Sequence, residues 1–298
     1  MSRIAHVNGE FVPLSEARVS VLDRGFLFAD GVYEVTCVFD GELVDYDGHA
    51  ARLERSLSEI GMKMPMSHEA MHDLHRQMIE RNGLVEGGVY LEVTRGAADD
   101  RDFVFPKDAR QTVVLFTQAR DLAGAPAAKT GIKAKSVPDI RWLRRDIKSV
   151  ALLAQVLAKQ AAAEAGANEA IMHEDGVVTE GGSSNAWIVT EGGEVVTRNL
   201  SSSILAGITR KSVKKLAEDS QIRVVERPFT LDEARKAREM FVTAATTLVM
   251  PVTTFDDAPV GDGRPGPVAA RLRELYIAAG REEAARRKAE RERSGGKA

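Results

Sequence analysis

The chain has 298 residues, 44% of them hydrophobic and 29% charged, with a formal net charge of −3. That length suits two modest domains or one large one. The near-neutral balance supplies no basic field for nucleic acid or an anionic membrane, and no apolar run approaches the roughly 20 residues of a membrane-spanning helix. The first residues are read as lacking a signal-peptide core. A lone cysteine, Cys37, excludes an internal disulfide and fits a reducing cytoplasm.

In chain order, Asn8-Gly9 between apolar residues predicts a hairpin. Val32 to Phe39 alternates as a strand, with Cys37 a small core residue, and "ELVDY" follows as a short strand. Helices are expected over His49 to Ile60, and over Ser67 to Asn82 with Ser67 as cap and Gly83 as stop. The strands "GVYLEVTRG" and "QTVVLFTQAR" flank a long polar loop. Asp121 to Gly131, rich in Gly, Pro and Ala, reads as an interdomain linker between a domain over residues 1–120 and one over 132–280.

After the strand "IKAKSV" comes "DIRWLRRDIKSVALLAQVLAKQ", which sets Lys148 between an arginine-rich approach and an apolar run. Ser149 is expected to cap a helix to Ala165, with Val150, Leu153, Leu157 and Ala161 on its apolar face. Short strands follow at "EAIMHE", "VVTEG", "NAWIVT", "EVVTR", "RVVERPF" and "EMFVTA", with helices beginning near Gly207 and over "TLDEARKA". Leu272 to Ala279 belongs to a last helix, and the charge run over 281–298 is expected to be a solvated tail.

Several residue types suggest chemistry. A desolvated lysine amine can act as a nucleophile, which singles out Lys148. Glu180, before two glycines and two serines, could face a cationic ring nitrogen. Gly207, Ile208 and Thr209 would offer free N–H groups and a hydroxyl at a helix start, an anion site whose plain alternative is an ordinary cap. The "VTAATT" turn at Val242 to Thr247 would let backbone approach a phosphate. His49 and Arg52 lie one helical turn apart. No His/Cys cluster has metal-ligand spacing, so no metal is expected.

The ordered set "DRGFLFADGVYEV", "GHAARLERS", "TRG" before "RDFVFP", the Lys148 segment, "VTEGGSSN", "GITR" and "FVTAATTLVMPV" resembles the D-amino acid aminotransferases, fold-type-IV pyridoxal 5'-phosphate (PLP) enzymes. The resemblance spans nearly the whole chain except the charged tail. It implies a two-domain α/β (α+β) fold with a small N-terminal domain and a larger, β-barrel-like cofactor domain.

By the same resemblance, Lys148 takes the cofactor aldehyde and Glu180 partners the pyridinium nitrogen. Arg52, Gly207, Ile208, Thr209, Ala245 and Thr246 hold the phosphate, with Ala245 serving through backbone alone. Leu205 packs on the ring and Ser184 adds a contact. Tyr33 and Arg101 hold the substrate carboxylate, Arg101 reaching a neighbouring subunit of a homodimer. The implied reaction exchanges an amino group between a D-amino acid and a 2-oxo acid. Related members include branched-chain and (R)-amine transaminases and aminodeoxychorismate-type lyases. Phe103 stands where the D-amino acid enzymes usually carry a histidine, a loss of about 1.5–3 kcal/mol of charge-assisted hydrogen bonding if nothing replaces it.

Overall fold

The structure, a computed structural model, describes residues 3–295. The chain divides into two compact units, one of residues 1–121, 147–151 and 280–298 and one of 122–146 and 152–279. The segment around Lys148 therefore groups with the first unit, whereas the sequence pattern set it in the second domain.

The first unit contains β1 (Ile4–Val7), β2 (Glu10–Pro13), α1 (Arg24–Phe28), β3 (Gly31–Phe39), β4 (Glu42–Leu43), α2 (Tyr46–Glu59), α3 (His68–Asn82), β5 (Gly87–Thr94) and β6 (Thr112–Ala119). Its six strands pair antiparallel in the order β2-β1-β6-β5-β3-β4. The Asn8-Gly9 turn has positive φ at both residues, the twist that a two-residue hairpin requires. Ser67 caps α3 by accepting from Ala70 N at 3.1 Å, and Gly83 closes it in the left-handed conformation. Leu53, Leu57, Met71 and Met78 from α2 and α3 pack with Val38, Val89, Leu91 and Leu115 of the sheet. Cys37 is buried within β3, and burial pushes its thiol far above the ordinary range.

The second unit holds α4 (Ala127–Thr130), β7 (Ile132–Pro138), α5 (Leu153–Glu164), β8 (Glu169–Glu174), β9 (Val177–Gly181), β10 (Asn185–Val189), β11 (Val195–Thr197), α6 (Ile208–Asp219), β12 (Val224–Glu226), α7 (Leu231–Arg235), β13 (Glu239–Ala244), β14 (Leu248–Phe255) and β15 (Ala258–Pro259); α8 (Pro267–Gly295) begins in it. Its curled mixed sheet runs β12-β11-β10-β13-β14-β7-β8-β9, with β15 on β14. The parallel pairs are β7 with β8, β7 with β14 and β11 with β12. Ile188, Val242, Met250 and Phe255 from the sheet pack against Phe229, Leu231 and Ala234 near α7, which carries a Thr230–Glu233 capping box.

Two expectations change. The helix after Lys148 starts four residues later than Ser149, at Leu153, because residues 148–150 bond to β3 instead. Ser149 accepts from Ala151 N at 3.0 Å, and Leu153 and Leu157 are exposed while Ala158 and Ala162 are buried. The expected solvated tail is helical through Gly295: Ala284 is buried, Glu283 accepts from Asp45 N, Arg287 meets Asp47 and Arg291 meets Glu42. Opposite charges on residues 42–47 give the run a surface to pack on. Residues 296–298 of that run lie outside those described.

Candidate active site

In the first unit, residues 148–150 run beside β3, with Ser149 bridged to Val32. Tyr33 N donates to Lys148 O at 3.0 Å, Val150 N donates to Gly31 O at 3.1 Å, and Lys148 N donates to Ser56 Oγ at 3.3 Å. The backbone of Lys148 is thereby fixed between a strand and a helix. Its side chain is half-buried, with Nζ 4.1 Å from the centroid of the Tyr33 ring. Tyr33 in turn stacks on Tyr90, and Tyr90 on Phe116, an aromatic row that orients the surface under the amine.

Alternation along β3 turns Glu34 to the opposite face from Tyr33. Glu34 is fully enclosed and accepts from Arg52 Nε at 2.7 Å, Arg52 Nη2 at 2.8 Å and His49 Nδ1 at 2.7 Å. Burial alone would raise its carboxyl, but Arg52 and His49 outweigh burial and hold it far below the usual range. His49 and Arg52 thus meet on one group, as their spacing on α2 suggested. The planar guanidinium fork matches this carboxylate geometry, which fixes the Arg52 side chain.

Arg101 and Phe103 sit on the exposed loop between β5 and β6. The Arg101 guanidinium lies 4.9 Å from the Phe28 ring centroid and 5.2 Å from that of Phe103, and the two rings are 5.1 Å apart.

In the second unit, Glu180 lies one residue before the end of β9 and is 4% exposed. Its carboxylate accepts from Arg141 Nη1 at 2.5 Å, Asn185 Nδ2 at 3.0 Å and Leu205 N at 3.1 Å. Burial nevertheless raises the carboxyl above its ordinary value, with Arg141 opposing. A further cation beside it would relieve that cost. Arg141 is itself held by Asp139, through Nε at 3.0 Å and Nη2 at 2.7 Å. Burial would raise the Asp139 carboxyl, but Arg141 and a hydrogen bond from the Thr179 hydroxyl outweigh it and lower the group.

Asn185 ties the Glu180 carboxylate to the start of α6, because Nδ2 also donates to Leu205 O at 3.0 Å. Gly207 is the N-cap and offers no side-chain hydrogen bond to the first turn. A Cβ on Gly207 would lie 2.0 Å from Asn185 Oδ1, so this approach requires glycine. Thr209 is buried on the first turn. The helix start meets the terms of an anion site: N–H groups with no capping side chain and the positive end of the dipole. α6 lies against β13, whose end runs into the turn of Ala245, Thr246 and Thr247. There Leu248 adopts φ 58° although fully buried, and Thr247 Oγ1 is buried without a partner. Strain and an unsatisfied hydroxyl at one turn are the marks of a ligand-facing backbone.

Ser184 is buried and donates its hydroxyl to Glu169 at 3.1 Å, which pairs with Lys159. The turn that Ser184 closes, with Gly181 N donating to Ser184 O at 2.7 Å, shapes the approach to Glu180. Sequence reasoning missed Arg141, Asn185, Glu34 and Ser56. Arg141 had a signal, an acidic residue two positions earlier beside a flagged lysine; Asn185 and Ser56 had none. No cluster of His, Cys, Asp or Glu among the described residues could hold a metal ion.

The first unit presents an oriented amine; the second presents a buried carboxylate suited to a cationic nitrogen and an uncapped helix start suited to an anion. A family model described as Amino-transferase class IV matches residues 31–255. The chain is 41% identical over 271 residues to D-alanine aminotransferase of Staphylococcus aureus (strain MW2), spanning 91% of this chain and 95% of that one. Among solved structures it is similar to a branched-chain amino acid aminotransferase from T.th. complexed with N-(5'-phosphopyridoxyl)-L-glutamate, at TM-score 0.85 and 27% identity over 94% of each chain. The same enzyme with pyridoxamine 5'-phosphate matches at TM-score 0.84 and 28% identity, over 94% of each chain.

Proposed function

Since the chain belongs to the class IV aminotransferase family, whose cofactor is PLP, we propose that it exchanges an amino group between a D-amino acid and a 2-oxo acid, of the D-alanine plus 2-oxoglutarate type. Three functional groups of PLP match the three features described: aldehyde to Lys148, ring nitrogen to Glu180, phosphate to the start of α6. When bound, the cofactor supplies an electron sink that makes the substrate Cα–H acidic.

Lys148 would hold the cofactor at its aldehyde and would carry the substrate proton at its Nζ. Its backbone bonds to Tyr33 and Ser56 keep that nitrogen in register through both uses. Glu180 would partner the ring nitrogen and keep it protonated, with Arg141 and Asn185 fixing the orientation of the carboxylate. Arg52, kept rigid by Glu34, and the N–H groups of Gly207, Ile208, Thr209, Ala245 and Thr246, with the Thr209 hydroxyl, bind phosphate. Leu205 would pack on the ring, and Ser184 shapes the turn next to Glu180. Tyr33 and Arg101 take the substrate carboxylate, and Phe103 makes that corner apolar.

We further assign a cytoplasmic homodimer in which the loop around Arg101 completes the neighbour's site. Exposure of Phe26, Phe103, Val104 and Phe105 supports a covered face there. Among the described residues no helix is long and apolar enough to cross a membrane.

The observation that carries the reading is Lys148: a lysine side chain on an aromatic platform, its backbone fixed from two sides. Borohydride treatment of the holoenzyme should add the reduced cofactor mass to the Lys148 peptide, and Lys148→Ala should lose both the tag and turnover. The absorbance of the bound cofactor should bleach with D-alanine and not L-alanine. Labelling of a different lysine, or bleaching by the L-form alone, rejects the proposal.

A further inference from the structure

The segment "DRGFLFADG" has no part in the chemistry above, yet its arginine is more tightly engaged than any substrate-facing group. Arg24 opens α1 and is only 4% exposed. Its backbone N donates to Gly96 O at 2.9 Å, at the root of the loop that carries Arg101. Its guanidinium then reaches the far side of the same loop. Nη1 donates to Asp102 O at 2.5 Å and more weakly to Val104 O at 3.4 Å, while Nη2 donates to Phe103 O at 3.1 Å. Nε donates to Asp30 Oδ2 at 2.8 Å.

Three successive carbonyls held by one side chain leave residues 102–104 little freedom, and Arg101 is the residue immediately before them. Asp30 is a shared anchor, because Arg95 at the end of β5 also grips it, at 2.7 and 3.0 Å. Burial would raise the Asp30 carboxyl, but those hydrogen bonds outweigh it and hold the group below its ordinary value, so the anchor stays charged at neutral pH. Aromatic contacts continue the frame. Phe28, one turn along α1, carries the Arg24 guanidinium at 4.8 Å and the Arg101 guanidinium at 4.9 Å, and Arg95 lies 3.6 Å from the Phe105 ring centroid. The loop has no regular secondary structure between residues 98 and 111. A planar fork of donors is what can hold such a segment, and a lysine in its place would not span three acceptors.

We infer that Arg24 is the positioning residue of the substrate-carboxylate loop, holding Arg101 through the carbonyls of residues 102–104. This rests on the assignment of Arg101 to the substrate carboxylate. The device also accounts for a specificity loop that tolerates Phe103: the loop is held by main-chain acceptors, so side chains along it can vary without loosening it.

The test uses holoenzyme carrying Arg24→Lys, which keeps the charge on Asp30 and loses the fan of carbonyls, and Arg24→Met beside it. Limited trypsin digestion should cut after Arg101 about tenfold faster in both. KM for D-alanine should rise about tenfold with kcat within twofold, and Arg24→Lys added to Arg101→Ala should change KM no further. Unchanged cleavage after Arg101 in a folded Arg24→Lys enzyme overturns the inference, as does a fall in kcat with KM unmoved. If Arg101→Ala alone leaves KM unchanged while Arg24→Lys still exposes the loop, the clamp stands and the substrate role of the loop is what fails. Should Arg24→Met not fold, Arg24→Lys carries the decision.

Discussion

Glu180 is engaged by an arginine, an amide and a backbone N–H, yet its carboxyl stays above its ordinary value because burial outweighs them. A neutral amide there would retain the shape and lose the charge. Glu180→Gln should therefore slow the half-reaction with D-alanine about ten- to a hundredfold, the range of a lost charge-assisted hydrogen bond. Cofactor binding should persist. Stopped-flow absorbance of the half-reaction measures this, and an unaltered rate removes Glu180 from the ring nitrogen. At this scale the sequence singled out Lys148, Glu180 and Arg52 by type and neighbours, and the structure buries Glu180 and Arg52 and half-buries Lys148. Glu34, Asn185 and Ser56 did not stand out, because each acquires its role from a partner between five and 92 positions away.

Among elements, the start of α6 depends on a missing side chain. Gly207 lets the helix approach Asn185, and Asn185 ties that helix to Glu180. Gly207→Ala would force Asn185 aside, an overpacking cost of about 1–3 kcal/mol, and should weaken PLP binding about tenfold or more in a spectroscopic titration. Affinity equal to the parent would mean the phosphate lies elsewhere. The helix after Lys148 shows the limit of periodicity. Val150, Leu153, Leu157 and Ala161 repeat at helical spacing, but two backbone bonds tie residues 148–150 to β3. Leucines 153 and 157 end up outside, and alanines 158 and 162 face β7 and β8 because small residues permit close packing there. A hydrophobic pattern records which residues avoid water somewhere; it does not record which main chain is nearby. α1, five residues long, is too short for a periodic signal and was not anticipated.

For the molecule as a whole, acid sensitivity has an identifiable source in the first unit. His75 is buried on α3, with Nδ1 donating to Met71 O at 2.8 Å and its ring 5.3 Å from that of Tyr46. Burial pushes its pKa down to about 4 from an ordinary 6.5. Between those values the unfolded chain binds a proton that the folded chain refuses, so stability is lost as pH falls through that window. The loss from pH 7 to pH 5 should be roughly 2 kcal/mol from this residue. Urea unfolding at both pH values should show it, and His75→Phe should flatten the dependence; an identical slope in the variant would clear His75.

The first unit is built from three stretches of chain, and the last of them starts at Gly280, where a Cβ would already press on Phe39 at 2.9 Å. A ribosome delivers that stretch only after residues 1–279 have been made. The earlier stretches therefore wait, with Phe39 and Val44 uncovered, until residue 280 and the helical residues that follow it are made. Nascent chains arrested before codon 280 should be digested across residues 31–60 far faster than released ones, and equal resistance would show that the unit matures without its closing helix.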